Sequence, residues 1–138
     1  MQRGATILAL DVGGRRVGMA LADVEVRFAH PLDTIEYSSE IFQQIKKIVE
    51  KHQVVTVVVG LPRGLDGQRT MQTDGIEKFA IELRQTLRVP VVLQDEALTS
   101  VKAESELQAK RGGGAYNKAD VDALAATYIL EDYLTEHR

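Results

Sequence analysis

The chain has 138 residues, 44% hydrophobic and 27% charged, which suits one ordinary globular core and excludes a disordered or fibrous chain. Its 17 Lys and Arg stand against 20 Asp and Glu, a net charge of -3, so a uniformly basic nucleic-acid surface is excluded while a local basic patch is not. Cysteine is absent, which removes disulfides, thiolate zinc sites and a thiol nucleophile together.

The first apolar run, Ile7–Leu10, is cut by Asp11 too early for the core of an export signal. No run approaches the roughly 20 apolar residues that span a bilayer. The expectation is a cytoplasmic protein with no membrane partner, residues 1–138 forming one domain.

Ala5–Asp11 reads as a strand that meets a turn at Gly13-Gly14, and Arg16–Ala22 as a second strand. A third extended stretch falls between Val26 and Tyr37, interrupted by Pro31. Over Ser39–Gln53 the period changes: Ile41, Phe42, Ile45, Ile48 and Val49 share a helical stripe, with Ser38 or Ser39 as N-cap. Val54–Gly60 is β-branched almost throughout, as an inner parallel strand covered on both faces should be. A helix over Met71–Leu87, a strand over Val89–Gln94, a helix over Thr99–Lys110 and a last helix from Asn117 to about Leu134 complete the chain. The order β-β-β-α-β-α-β-α-α implies an α/β fold with a mixed sheet and helices on both faces. Ligands on such sheets bind beyond the carboxyl ends of the strands.

Several acids stand in awkward places. Asp11 ends a buried strand, where it either closes the Gly13-Gly14 turn or does chemistry. Asp95 and Glu96 lie just past another buried strand, where by themselves they read better as a solvated loop, or as Asp95 helping to cap the next helix. Asp122 says more: it shares a helix face with Ala125, Ala126, Ile129 and Tyr133, a stripe that should meet the sheet. Asp120 lies about 160° around the helix and suffices as the acid that favours the helix start. A core-facing carboxylate needs a cation, hydrogen bonds or a metal. Acids converging at the sheet end are most cheaply neutralised by Mg²⁺ or Mn²⁺, and two such ions form the clamp for in-line attack on a phosphodiester. Arg15, Arg16, Arg63, Arg69, Lys110, Arg111 and Lys118 flank the glycine-bearing loops and could contact a phosphate backbone. The histidines His30, His52 and His137 are scattered and make no metal pair.

Four blocks, LALDVGGRRVGMALAD, VVVGLPRGLDG, VVLQDEALTS and NKADVDALAATYILEDYL, in this order and spacing, resemble the YqgF/RuvX family over Ile7 to Leu134. The resemblance implies an RNase H-like fold with a five-stranded mixed sheet. It also implies a divalent-metal nuclease that matures the 5′ end of pre-16S rRNA on ribosomal particles, as a monomer or homodimer. The family's older description as a Holliday junction resolvase makes branched DNA the alternative substrate. Carried over by position, the family's acids fall on Asp11, Glu96 and Asp122, as metal ligands and catalytic residues. The expected products carry a 5′ phosphate and a 3′ hydroxyl, with Lys118 and Arg16 steadying the developing charge. Family members commonly carry arginine where this chain has Ala97, which removes either a cation near the scissile phosphate or a carboxylate partner. Two rivals follow from the same residues: a nucleotide-binding domain of the actin-like kind, since the first block also resembles a phosphate loop, and a non-catalytic RNA-binding module.

Overall fold

The computed structural model describes residues 4–62, 71–96 and 118–137. In chain order these form β1 (Thr6–Val12), β2 (Arg16–Asp23), β3 (His30–Glu36), α1 (Ile41–Lys51), β4 (Val54–Pro62), α2 (Met71–Thr86), β5 (Val91–Glu96) and α3 (Lys118–Glu136). The helix expected over Thr99–Lys110 lies outside the described residues. The strands make one sheet in the order β3-β2-β1-β4-β5. β1 pairs antiparallel with β2 and β2 with β3, whereas β1–β4 and β4–β5 are parallel. Hairpins connect the first three strands, and crossover helices force the rest to run parallel. Among the described residues no helix is long and apolar enough to cross a membrane.

Alternation along β1 sorts its side chains. Leu8, Leu10 and Val12 face a core built with Ile41, Ile45 and Val49 of α1 and Ile76, Phe79 and Leu83 of α2. Ile7 and Ala9 face the other way, toward Ala126, Ile129, Leu130 and Leu134 of α3. This second layer is rich in alanine and glycine, so α3 lies close upon the sheet. α3 is buried on two sides: Val121, Ala125 and Tyr128 form a cluster of their own. Ala125 therefore packs off the expected sheet-facing stripe, on the adjoining helix face with its i−4 and i+3 neighbours Val121 and Tyr128.

Several boundaries differ from expectation for local reasons. The stretch before His30 is a turn rather than strand: Asp23 Oδ1 accepts the N–H of Glu25 and Val26 at 2.8 and 3.0 Å, and Arg27 adopts φ 59. Pro31 does not interrupt β3, which is an edge strand and can spare an N–H; it pairs with Ala20 across a register shift. β5 starts at Val91 and includes Asp95 and Glu96, with the Pro90 carbonyl accepting from Val57 N at 2.9 Å. α1 begins at Ile41 with Glu40 at the N-cap and no side-chain cap, since Ser38 Oγ accepts the N–H of Glu40 instead.

Past the end of α1, Gln53 takes φ 55, a left-handed conformation that glycine adopts without a Cβ penalty. Gln53→Gly should stabilise the protein by about 1 kcal/mol, a few degrees in Tm by thermal unfolding. A lower Tm would mean that the glutamine side chain contributes more than its backbone strain costs.

Candidate active site

The β1–β2 turn is closed by main chain, Gly13 N–H donating to the Arg16 carbonyl at 2.8 Å. Asp11 is thereby released from the turn-capping role open to it in the sequence. It continues the Ile7–Ala9 series, so it points to the α3 side of the sheet. Across the pair with β2 its partner is Gly18. A Cβ built on Gly18 would run into the carbonyl carbon and oxygen of Asp122, so the first turns of α3 rest directly on this glycine. The main chain of Asp122 is therefore carried to the strand position beside Asp11.

The two carboxylates affect each other. Burial first, and the Asp122 charge second, push the Asp11 carboxyl up from 3.8 to about 7. Arg16, at the start of β2, donates from Nε to Asp122 Oδ2 at 2.8 Å. The pair is partly shielded, with side-chain exposures of 31% for Arg16 and 21% for Asp122. Asp11 and the Arg16-paired Asp122 thus lie together at the carboxyl end of β1, where ligands on such sheets bind.

Glu96 closes β5 and follows Val92 and Gln94 on alternate positions. Val92 packs in the α3-side core, and Gln94 hydrogen-bonds Glu136 of α3, so Glu96 belongs to the same face as Asp11. It lies two strands away, about 10 Å laterally at ordinary strand spacing. Among the described residues no three His, Asp or Glu side chains stand close enough to hold one ion together. Asp11 and Asp122 are gathered; Glu96 shares their rim and face without joining them. Asp95 is exposed, but on strand β5 and not in the expected loop.

Of the basic residues, Arg15 is exposed on the turn, where its carbonyl accepts the Tyr37 N–H at 2.8 Å. Arg63, Arg69, Lys110 and Arg111 lie outside the described residues, and so do the side chains of Lys118 and Asp120. The donor set at the rim is all oxygen, which suits Mg²⁺ or Mn²⁺ and not the softer metals. A carboxyl held near neutrality by burial and a like charge is one that an added cation would ionise and bind, so Asp11 and Asp122 fit such an ion.

Two features escaped the sequence reading. Arg16 was expected beside phosphate, yet it has a carboxylate partner 106 residues away. Gly18, inside the expected strand Arg16–Ala22, is also the seat of α3. The available signal was a glycine inside a strand, which often marks close backbone approach.

A protein of Chloroflexus aurantiacus, provisionally named a pre-16S rRNA nuclease, is 43% identical over 134 residues, 96% of this chain and 88% of that one. A Caldanaerobacter subterraneus subsp. tengcongensis protein of the same provisional name is 40% identical over 138 residues, 96% of this chain and 97% of its own. Among solved structures, Thermus thermophilus RuvC aligns with a TM-score of 0.52 at 15% identity, covering 96% of this chain and 95% of that one. Fowlpox virus resolvase, solved with Holliday junction DNA, aligns at 0.54 with 9% identity, covering 96% and 98%. At such identities these two show the fold, which is the RNase H-like one. The model of the RuvX family, described as Holliday junction resolvase, matches residues 5–136. A match of that extent, with relatives above 40% identity along nearly the whole chain, makes this protein a member of the RuvX family.

Proposed function

We propose that the protein is a divalent-metal-dependent nuclease that hydrolyses phosphodiester bonds in structured RNA and matures the 5′ end of pre-16S rRNA. The observation that carries this reading is the pairing of Asp11 with Asp122 at the carboxyl end of β1, two acids brought together from opposite ends of the chain. The provisional names of the relatives supply the substrate class.

Asp11, Asp122 and Glu96 would hold one or two Mg²⁺ or Mn²⁺ ions. Such ions, when bound, lower the pKa of an attacking water and stabilise the leaving 3′ oxygen. The chain's own part is to place the oxygens. β1 fixes Asp11 in a half-buried position, the Gly18 seat fixes the backbone of Asp122, and β5 brings Glu96 to the same rim. Glu96 has one more methylene than the aspartates, which suits the position farthest from the pair. Arg15, exposed one turn from Asp11, is placed to take a phosphate of the substrate backbone.

The test is cleavage of a 5′-extended pre-16S rRNA and a four-way DNA junction, offered side by side with Mg²⁺ or Mn²⁺. The expected result is metal-dependent cutting of the RNA, stopped by chelator and leaving 5′ phosphates. Cutting of the junction alone would move the substrate to branched DNA. RNA binding without cleavage of either would leave only a binding module.

A further inference from the structure

The Arg16–Asp122 ion pair joins the start of β2 to the first turns of α3 at the proposed metal site. Arg16 is fixed at its backbone, which pairs with Glu36 of β3 and accepts the Gly13 N–H. Its side chain, 31% exposed, is the part that can change rotamer. Asp122 Oδ2 is engaged by Arg16 Nε at 2.8 Å. A divalent ion bound to Asp122 and Asp11 would therefore sit within a few ångströms of a guanidinium that never deprotonates. Repulsion between a dication and a guanidinium at that range is strong in a half-buried setting. The arginine and the ion also compete for one small anionic centre.

We propose that Arg16 is a resident counter-ion: it neutralises Asp122 in place of the divalent ion, competes with that ion for the carboxylate, and is displaced when the ion binds. The proposal rests on the metal reading of Asp11 and Asp122 given above. It gives Arg16 two successive partners. The first is Asp122, which it holds at 2.8 Å. Once displaced, the guanidinium remains tethered at the rim by β2 and is available to a substrate phosphate. Arg16 is thus a positioning residue whose ion pair sets the metal affinity of the site.

The opposite expectation is also physical. An arginine that merely orients a ligating carboxylate raises metal affinity, and its loss lowers it. The sign of the effect therefore decides.

The experiment is Mn²⁺ binding to chelator-treated, desalted protein, followed by electron paramagnetic resonance, for wild type, Arg16→Gln and Arg16→Lys. Arg16→Gln should bind Mn²⁺ roughly tenfold tighter, and Arg16→Lys, which keeps the charge, should stay within about threefold of wild type. Unchanged or weaker binding by Arg16→Gln would overturn the competition. The wild type gives a second readout that needs no variant. The Arg16 Nε–H resonance should be protected from exchange in chelator and lose that protection on Mg²⁺ saturation; protection that persists would refute displacement. Absence of site-bound Mn²⁺ in the wild type would remove the metal reading and this inference with it. Firm wild-type binding without tightening in Arg16→Gln would remove the role of Arg16 alone.

Discussion

Asp11→Asn should lower cleavage by roughly a thousandfold while making the chelator-treated protein more stable at pH 8 than the wild type. The two effects share one cause. In the folded chain the Asp11 carboxyl is pushed up from 3.8 to about 7, by burial first and by Asp122 second. Folding therefore favours its protonated form. The stability this group contributes is fully present below about pH 4 and is lost as pH rises through about 7. Above that, the folded protein must carry a charge in a half-buried site beside a second carboxylate. Asparagine has nearly the same shape and no charge to ionise, so its stability is flat across that window as far as this group is concerned. Partial exposure of Asp11 reduces the gain to about 1–2 kcal/mol, a few degrees in Tm. The difference should shrink as pH falls toward 4. Saturating Mg²⁺ should reverse the order, because an ion that binds only the folded wild type stabilises it by mass action. Thermal unfolding of both proteins from pH 4 to pH 8, with chelator and with Mg²⁺, checks all three statements. A variant no more stable than wild type at pH 8 in chelator would mean that Asp11 is not under electrostatic stress, and the argument for a cation at this rim would fail.

That stress also explains which parts of the site could be read in the amino-acid sequence. A buried strand ending in Asp11, and a helix whose count turns Asp122 toward the sheet, break the expected polarity pattern, and such breaks mark function. The run Val54–Gly60 is apolar on both faces, and it became the strand that joins the antiparallel hairpins to the parallel half of the sheet. The ion pair of Arg16 was not legible. Its partner depends on where α3 lands, and that is decided by the small surface of Gly18 together with Ala9, Ala20 and Ala22, not by any local pattern around Arg16. The limits of β3 failed for a related reason. Asp23 has the chemistry of a turn, and Arg27 takes a left-handed conformation that its residue type does not announce, while hydrophobic Val26 and Phe28 suggest a strand; both are exposed. Glu96 lies between these cases. Its strand and face follow from alternation, whereas its separation from Asp11 follows from strand order, which puts β4 between β1 and β5.

Two glycines beneath α3 should respond very differently to alanine. At Gly18 the new Cβ would meet Asp122 C and O and Ala123 N, all main chain. At Gly60 it would meet chiefly the Cδ1 of Ile129, the far end of a side chain that can turn aside. Backbone can yield only if the helix moves as a body. α3 is held farther along by Ala126, Ile129, Leu130 and Leu134 against the sheet. At its carboxyl end Arg27 Nη2 donates to the carbonyls of Leu134 and His137 at 2.8 and 2.9 Å. Gly18→Ala must therefore lift the amino end of α3 against a fixed far end, at a cost of about 3 kcal/mol or more, roughly 10 °C in Tm. Gly60→Ala should cost about 1 kcal/mol. The site separates them further. The lifted segment carries Asp122, so Gly18→Ala should also lose Mn²⁺ affinity by tenfold or more on the scale of a displaced ligand, whereas Gly60→Ala should keep it. Equal and small losses in both variants would show that α3 is not seated on Gly18. The nearness of Asp122 to Asp11 would then depend on the Arg16 contact alone.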